Sequence, residues 1–246
     1  MSVYDPDSQL ITRFTLLNLR ELGGMPLACG KTFAEGRFWR SSSPAEISRE
    51  EAHRMSEYGV TCVIDLRSEL ELARFGNPFA DDGICDFHNI PLFAGDPNNF
   101  KDASMAFLKD HTLGDYYVIM LNKLASSIGD VLRILLKCNG IALFHCAHGK
   151  DRTGVITALL YLLAGASRED IITNYKVSYG YIKPLVDPLI AKAPDIMKHA
   201  LRSDASNMET LLDYINDRWS GDITQYLLTT GLSSDEICEL YAKCIA

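Results

Sequence analysis

The chain has 246 residues, 47% hydrophobic and 23% charged, which is the balance of a folded globular protein and excludes collagen-like, low-complexity and disordered readings. Its 24 basic and 32 acidic side chains leave a net charge of −8. That balance argues against a partner that is duplex nucleic acid, which needs a basic face to displace counterions. It says nothing about a local cationic pocket.

The N-terminus, Met1-Ser2-Val3-Tyr4-Asp5-Pro6-Asp7, lacks the basic-then-apolar run of a secretory signal, so the reading is an intracellular, cytoplasmic protein. The most apolar run, Val155 to Ala164, is far short of the roughly 20 residues a membrane-spanning helix needs, so no integral membrane segment is expected. No linker or repeat divides the sequence, and residues 1–246 are read as one domain. Seven scattered cysteines without a C-x-x-C pair argue against a disulfide framework or a zinc site. All but Cys146 are expected to be small buried hydrophobes.

In chain order, strands are predicted at 37–40, 60–66, 86–91 and 141–145, from β-branched and aromatic runs. The second and fourth are nearly all apolar, as strands covered on both faces are. Ser43-Pro44-Ala45-Glu46 reads as a capping box opening a helix to about Tyr58. Residues 115–136 carry helical apolar spacing, Ser167 caps a helix through Tyr175, and Ser233-Ser234-Asp235-Glu236 caps the last one. Strands alternating with helices predict an α/β fold with a mostly parallel twisted sheet flanked by helices, and the C-terminal third reads as helix only.

The chemistry concentrates in His145-Cys146-Ala147-His148-Gly149-Lys150-Asp151-Arg152-Thr153-Gly154, which leaves a buried strand and enters an apolar helix. The six-residue spacing of Cys146 and Arg152 carries little alone, and the surroundings make it specific. A loop from strand to helix aims backbone N–H groups inward, and the helix N-terminus adds partial positive charge. Gly149 permits a tight turn. Arg152 offers a planar fork to two oxygens of a phosphate. The result is a cradle for a tetrahedral dianion with a sulfur at its floor. Cations and helix ends also favour thiolate over thiol, so the same cradle prepares Cys146 for in-line attack on phosphorus. Thr153 is placed to donate its hydroxyl to the sulfur, and His145 to orient the loop. Ala147, His148, Gly149 and Lys150 complete the phosphate-binding set. For His148 the alternative is a solvent-exposed tip, and for Lys150 a solvated charge.

The segment resembles the signature of cysteine-based tyrosine phosphatases. More narrowly it resembles the bacterial and fungal branch that also acts on phosphoserine, phosphothreonine or phosphoinositides. Asn18-Leu19-Arg20-Glu21-Leu22-Gly23-Gly24, Phe38-Trp39-Arg40-Ser41, Ile64-Asp65-Leu66-Arg67-Ser68, Asn174-Tyr175 and the tail from Tyr226 to Ser233 resemble further motifs of that branch, so the similarity spans nearly the whole chain. Glu21 and Asn174 depart from it, each standing where the branch has Asp, and alter structural hydrogen bonds rather than chemistry. The resemblance implies a phosphatase fold and a phosphomonoester hydrolase that passes through a phosphocysteine. It needs no metal or other cofactor and acts on a phosphoprotein or phosphoinositide. No Trp-Pro-Asp triplet is present, and by resemblance Asp151 is the general acid, with Asp96 and Asp110 as rivals. Asp65 and Arg67 either line the pocket or pair structurally. Residues 181–207 are placed as a helical lid, against ordinary core packing. Positive charge at His148 and Lys150 would suit a polyphosphorylated inositol head. Two other readings stand beside this one: a non-catalytic phospholigand-binding module and a thiol sulfurtransferase. The oligomeric state is not legible.

Overall fold

The computed structural model describes residues 4–80, 83–93 and 106–246. A five-stranded sheet has the order β1-β2-β5-β3-β4: β1 is Arg20–Glu21, β2 Phe38–Ser41, β3 Val60–Asp65, β4 Asp86–Asn89 and β5 Ile141–His145. β1 runs antiparallel to β2, and every other pairing is parallel. The two-residue β1 carries no run long enough for a sequence pattern to mark it.

Ten α-helices flank the sheet among the described residues. α1 (Arg49–Tyr58) precedes β3, and α2 (Glu69–Phe75) follows it. α3 (Leu113–Lys123) and α4 (Ala125–Lys137) lead into β5. α5 (Arg152–Ala164), α6 (Arg168–Lys176) and α7 (Ser178–Ile190) come next, then a 3-10 turn at Asp195–Leu201. α8 (Ala205–Trp219), α9 (Ile223–Thr229) and α10 (Ser234–Cys244) end a helical C-terminal third. No helix of the described residues is long and apolar enough to cross a membrane.

The apolar strands are explained by their two faces. Cys62, Ile64, Ala142 and Phe144 join the larger core, which includes α5. Trp39, Val60, Val63, Ile141 and Leu143 join a second core with Ala52 and Met55 of α1. Alternate residues thus serve opposite layers, and both need to be apolar. α5 is buried almost all round, which accounts for its uniform apolar run.

Three expectations are corrected. The first helix is capped by Ser48, whose Oγ accepts the Glu51 N–H at 3.1 Å, not by Ser43. Ser43 is held elsewhere, since its own N–H donates to the Ala147 carbonyl at 3.0 Å. The helix predicted over 115–136 is two helices, broken at Leu124 (φ −116°, ψ 23°). Its halves serve different partners: α3 lies against α8, where Asn207 Oδ1 accepts the Gly114 N–H at 3.2 Å, while α4 brings Gly129 so close to Thr230 that a Cβ would meet its carbonyl at 2.3 Å. Finally, of the six cysteines expected to be buried, Cys62 and Cys244 are, Cys85 and Cys138 are half-buried, and Cys29 and Cys238 are exposed.

Because β2, β3 and β5 are parallel, Ser41, Asp65 and His145 end at one edge of the sheet. In such sheets ligands collect beyond the carboxyl ends of the strands, and that is where the Cys146 loop lies.

Candidate active site

β5 ends at His145 and α5 begins at Arg152, so Cys146 to Asp151 form the turn between them. The backbone of that turn is organised from behind. The Cys146 carbonyl faces His145 Nδ1 at 3.1 Å. The Ala147 carbonyl accepts the Ser43 N–H at 3.0 Å. Asn18 Nδ2 donates to the His148 carbonyl at 3.2 Å and to the Gly149 carbonyl at 3.0 Å. Arg40 Nη2 also donates to Gly149, at 2.6 Å. In a trans peptide each C=O opposes the following N–H. Four carbonyls held from outside therefore turn the N–H groups of residues 147–150 the other way, toward the loop's interior. Gly149 is required twice: its φ is +67°, and a Cβ there would meet the Ser41 carbonyl at 2.2 Å. Cys146 is only 1% exposed, while Ala147 and His148 form a half-buried rim.

Arg152 is gripped by a residue that sequence reasoning missed. Glu71, on α2, accepts Nη1 at 2.6 Å and Nη2 at 3.0 Å, and Nη1 also reaches the Leu66 carbonyl at 3.5 Å. Among the described residues this leaves Nε–H and the adjacent Nη2–H as a free edge, the pair that matches two phosphate oxygens. The guanidinium lies 5.7 Å from the centre of the Phe93 ring. Burial alone would push Arg152 down, but its interactions with the Cys146 sulfur and the Glu71 carboxylate carry it above its ordinary value, so it is always charged. Burial likewise opposes ionisation of Glu71, yet the bonds from Arg152 hold its carboxyl below its usual range. The only sequence signal for Glu71 is the Ser68-x-x-Glu71 capping box, which reports a helix start and not its second duty.

Asp65 and Arg67 pair with each other behind the loop at 2.6 Å, and both are essentially unexposed, so in this structure neither lines an open pocket. Burial disfavours the Asp65 charge, but the Arg67 guanidinium and the Asn77 amide overcome it and hold the carboxyl far below its usual range. Asn77 Nδ2 sits 3.0 Å from both Asp65 Oδ2 and His145 Nε2. With Nε2 accepting from Asn77 and Nδ1 donating to Cys146, His145 is a neutral imidazole, and burial holds its pKa down against the pull of Asp65. His148 is pushed down to about 4 by burial and by Lys150. It is therefore uncharged near neutral pH, which corrects the expected positive rim.

Asp151 is at the N-cap position of α5 but caps nothing. Its Oδ1 instead accepts the Tyr117 hydroxyl at 2.5 Å and Lys150 Nζ at 2.8 Å. Burial pushes the Tyr117 phenol well above its ordinary value, so it remains a donor. Oδ2 has no protein partner among the described residues. Lys150 is fully buried, and its ammonium also donates to the Ala200 carbonyl at 2.9 Å. It is neither solvated nor free for a second phosphate. Thr153 Oγ1 is buried without a hydrogen-bond partner among the described residues, so the expected bond to the Cys146 sulfur is not formed here. Of the rival acids, Asp96 lies outside the described residues and Asp110 is exposed in a turn.

The sequence profile of the tyrosine phosphatase family matches residues 13–246. The chain belongs to this family. A Cupriavidus necator protein provisionally named a tyrosine-protein phosphatase is 28% identical over 230 residues, covering 87% of this chain and 81% of that one. A tyrosine-protein phosphatase of Nostoc commune is 31% identical over 147 residues, 59% of this phosphatase and 49% of the relative. The triple specificity protein phosphatase PtpB of Mycobacterium tuberculosis is 28% identical over 170 residues, 57% of this phosphatase and 60% of PtpB. The phosphatase is thus a cysteine-dependent enzyme that acts on phosphorylated substrates.

The departure at Asn174 has a structural consequence. Arg20 and Arg40 of this phosphatase are both fully buried, and neither forms an ion pair among the described residues. Arg40 Nη1 donates to Asn174 Oδ1 at 2.9 Å, and Arg20 Nη1 to the Asn174 carbonyl at 2.8 Å. Burial and the neighbouring Arg20 push Arg40 down to about 9. Glu21 turns away from both and accepts the Gly36 N–H.

Proposed function

We propose that this phosphatase hydrolyses phosphoprotein monoesters through a phosphocysteine on Cys146. Cys146 Sγ attacks phosphorus in line, an S–P bond forms and the ester P–O bond breaks. Asp151 Oδ2 gives its proton to the departing oxygen. In the second step Asp151 takes a proton from water, whose oxygen attacks phosphorus and releases the sulfur. The loop amides of residues 147–150 and the free edge of Arg152 hold the equatorial oxygens, which is where most catalysis of phosphoryl transfer arises. Thr153 Oγ1 donates to the sulfur as it leaves. His145, with Asp65 and Arg67 behind it, positions the loop.

The observation that carries this reading is the outward anchoring of the four carbonyls from Cys146 to Gly149, which makes the loop interior a ring of donors above one sulfur. It favours turnover over a phospholigand-binding module or a sulfurtransferase, because a nucleophile, an anion-binding guanidinium and a carboxyl acid, Cys146, Arg152 and Asp151, are all retained within seven residues. With His148 uncharged and Lys150 engaged, the case for a polyphosphorylated inositol head loses its support, and a singly phosphorylated side chain fits better. Lys150 also ties the loop to the 3-10 turn at Asp195–Leu201, so α7 and that turn act as the lid over it. A catalytic thiolate together with the exposed Cys29 and Cys238 suits a reducing compartment such as the cytoplasm. The test is hydrolysis of an aryl phosphate and of phosphotyrosine, phosphoserine and phosphothreonine peptides in EDTA. Activity that resists EDTA and is blocked by vanadate supports the reading, and activity that requires a divalent cation overturns it.

A further inference from the structure

A second constellation lies at the other end of the sheet, away from the Cys146 loop. Cys62 and Asp86 are register partners on β3 and β4, and His88 is two residues beyond Asp86. A strand has a period of two, so all three side chains stand on one face at the sheet's edge. One donor atom from each of Cys62, Asp86 and His88 lies within 4.8 Å of the others. The three border a groove of about 440 Å³ that also exposes Cys138, at the end of α4.

The hydrogen bonds of this groove suit a cation. His88 Nε2 meets Asp86 Oδ2 at 2.9 Å across one proton. Cys138 lines the same groove as Cys62, and its sulfur lies 3.3 Å from the hydroxyl of Thr61, the residue beside Cys62 on β3. The Asp86–His88 pair is two donor atoms sharing a proton that a metal ion can replace, and binding to such ligands releases protons.

We propose that Cys62, Asp86, His88 and Cys138 bind a zinc ion. The donor set of thiolate sulfur, imidazole nitrogen and carboxylate oxygen is the one zinc selects over calcium or magnesium. Tetrahedral zinc places donors roughly 3.3–3.8 Å apart, given its bond lengths of about 2.0–2.3 Å. Asp86 and His88 are partly exposed and can rotate to close the remaining distance, while Cys62 is fixed in the sheet. The absence of a C-x-x-C pair hides such a site from the sequence, because its ligands come from two strands and a helix end. Cys62 is three residues before Asp65 on β3, roughly 10 Å along the strand, so the ion sits clear of the catalytic loop. It clamps the edge strand β4 and α4 to β3.

The experiment uses cobalt(II) as a spectroscopic probe and zinc as competitor, in the Cys146→Ser background so that the catalytic thiol contributes nothing. One equivalent of cobalt is expected to give a thiolate-to-metal charge-transfer band with the intense visible absorption of a tetrahedral ion, and zinc is expected to displace it. Zinc is also expected to raise the thermal midpoint. Cys62→Ser leaves one thiolate and is expected to cut the band by about half, and His88→Ala, a change on the surface that leaves the core intact, weakens cobalt binding at least tenfold. No stoichiometric band, or a band unchanged in both variants, overturns the proposal.

Discussion

Replacing Glu71 by Gln tests how Arg152 is held. The Glu71–Arg152 pair has two charge-assisted hydrogen bonds, at 2.6 and 3.0 Å, between side chains only 4% and 9% exposed, so solvent screens neither. Glutamine keeps one acceptor and sets an amide N–H₂ against the other guanidinium nitrogen. A hydrogen bond to a charged group contributes about 1.5–3 kcal/mol. If the fork loses that much positioning in the transition state, kcat/KM falls about 10- to 150-fold, since each 1.36 kcal/mol is tenfold. The assay is kcat/KM for an aryl phosphate with the inhibition constant of vanadate, alongside thermal unfolding to separate positioning from collapse. Both constants are expected to worsen together, because both ligands use the freed edge of Arg152. A folded Glu71→Gln enzyme within threefold of the parent on both would refute the reasoning.

The remaining predictions follow from other contacts. Asp151→Asn is expected to slow alkyl phosphates far more than activated aryl phosphates, because only poor leaving groups need the proton, and equal slowing would place the acid elsewhere. Asn174→Asp gives buried Arg40 a carboxylate partner and lets the Tyr4 hydroxyl, 2.8 Å away, turn to donate to it, at the cost of an oxygen facing Gln9 Oε1 where Nδ2 now donates at 2.9 Å. It is expected to stabilise by about 1–3 kcal/mol, or several degrees in thermal midpoint, and a fall would show that the pair is already compensated. His148, with a folded pKa of about 4 against about 6.5 unfolded, binds fewer protons folded than unfolded between those values. His145 shifts in the same direction. Stability is therefore fully present above pH about 6.5 and declines toward pH 4, by up to about 1.4 kcal/mol per pH unit for each histidine. Urea unfolding at pH 7, 6 and 5 checks this, and a flat profile contradicts it.

Sequence alone made the parallel sheet legible, because β3 and β5 alternate between two cores and must be apolar on both faces. The loop was legible for a different reason. Cys146, Gly149 and Arg152 are adjacent in the chain, and their chemistry is local. What stayed hidden is non-local. Glu71 arrives from α2 and looks like an ordinary cap, Tyr117 looks like one more apolar position of α3, and Lys150 reads as a free cation until the Ala200 carbonyl is seen to hold it. The first helix start was misjudged because two Ser-x-x-Glu boxes compete there, at Ser43 and Ser48. The choice between them depends on Ala147, more than 100 residues away, which claims the Ser43 N–H.

The central claim is covalent, and rapid quench of the enzyme with a ³²P-labelled aryl phosphate tests it most directly. Burst labelling is expected on the peptide that contains Cys146, with the alkali stability and iodine lability of an S–P bond, and none is expected in Cys146→Ser. Label on any other residue, or undiminished turnover without this sulfur, would contradict the account.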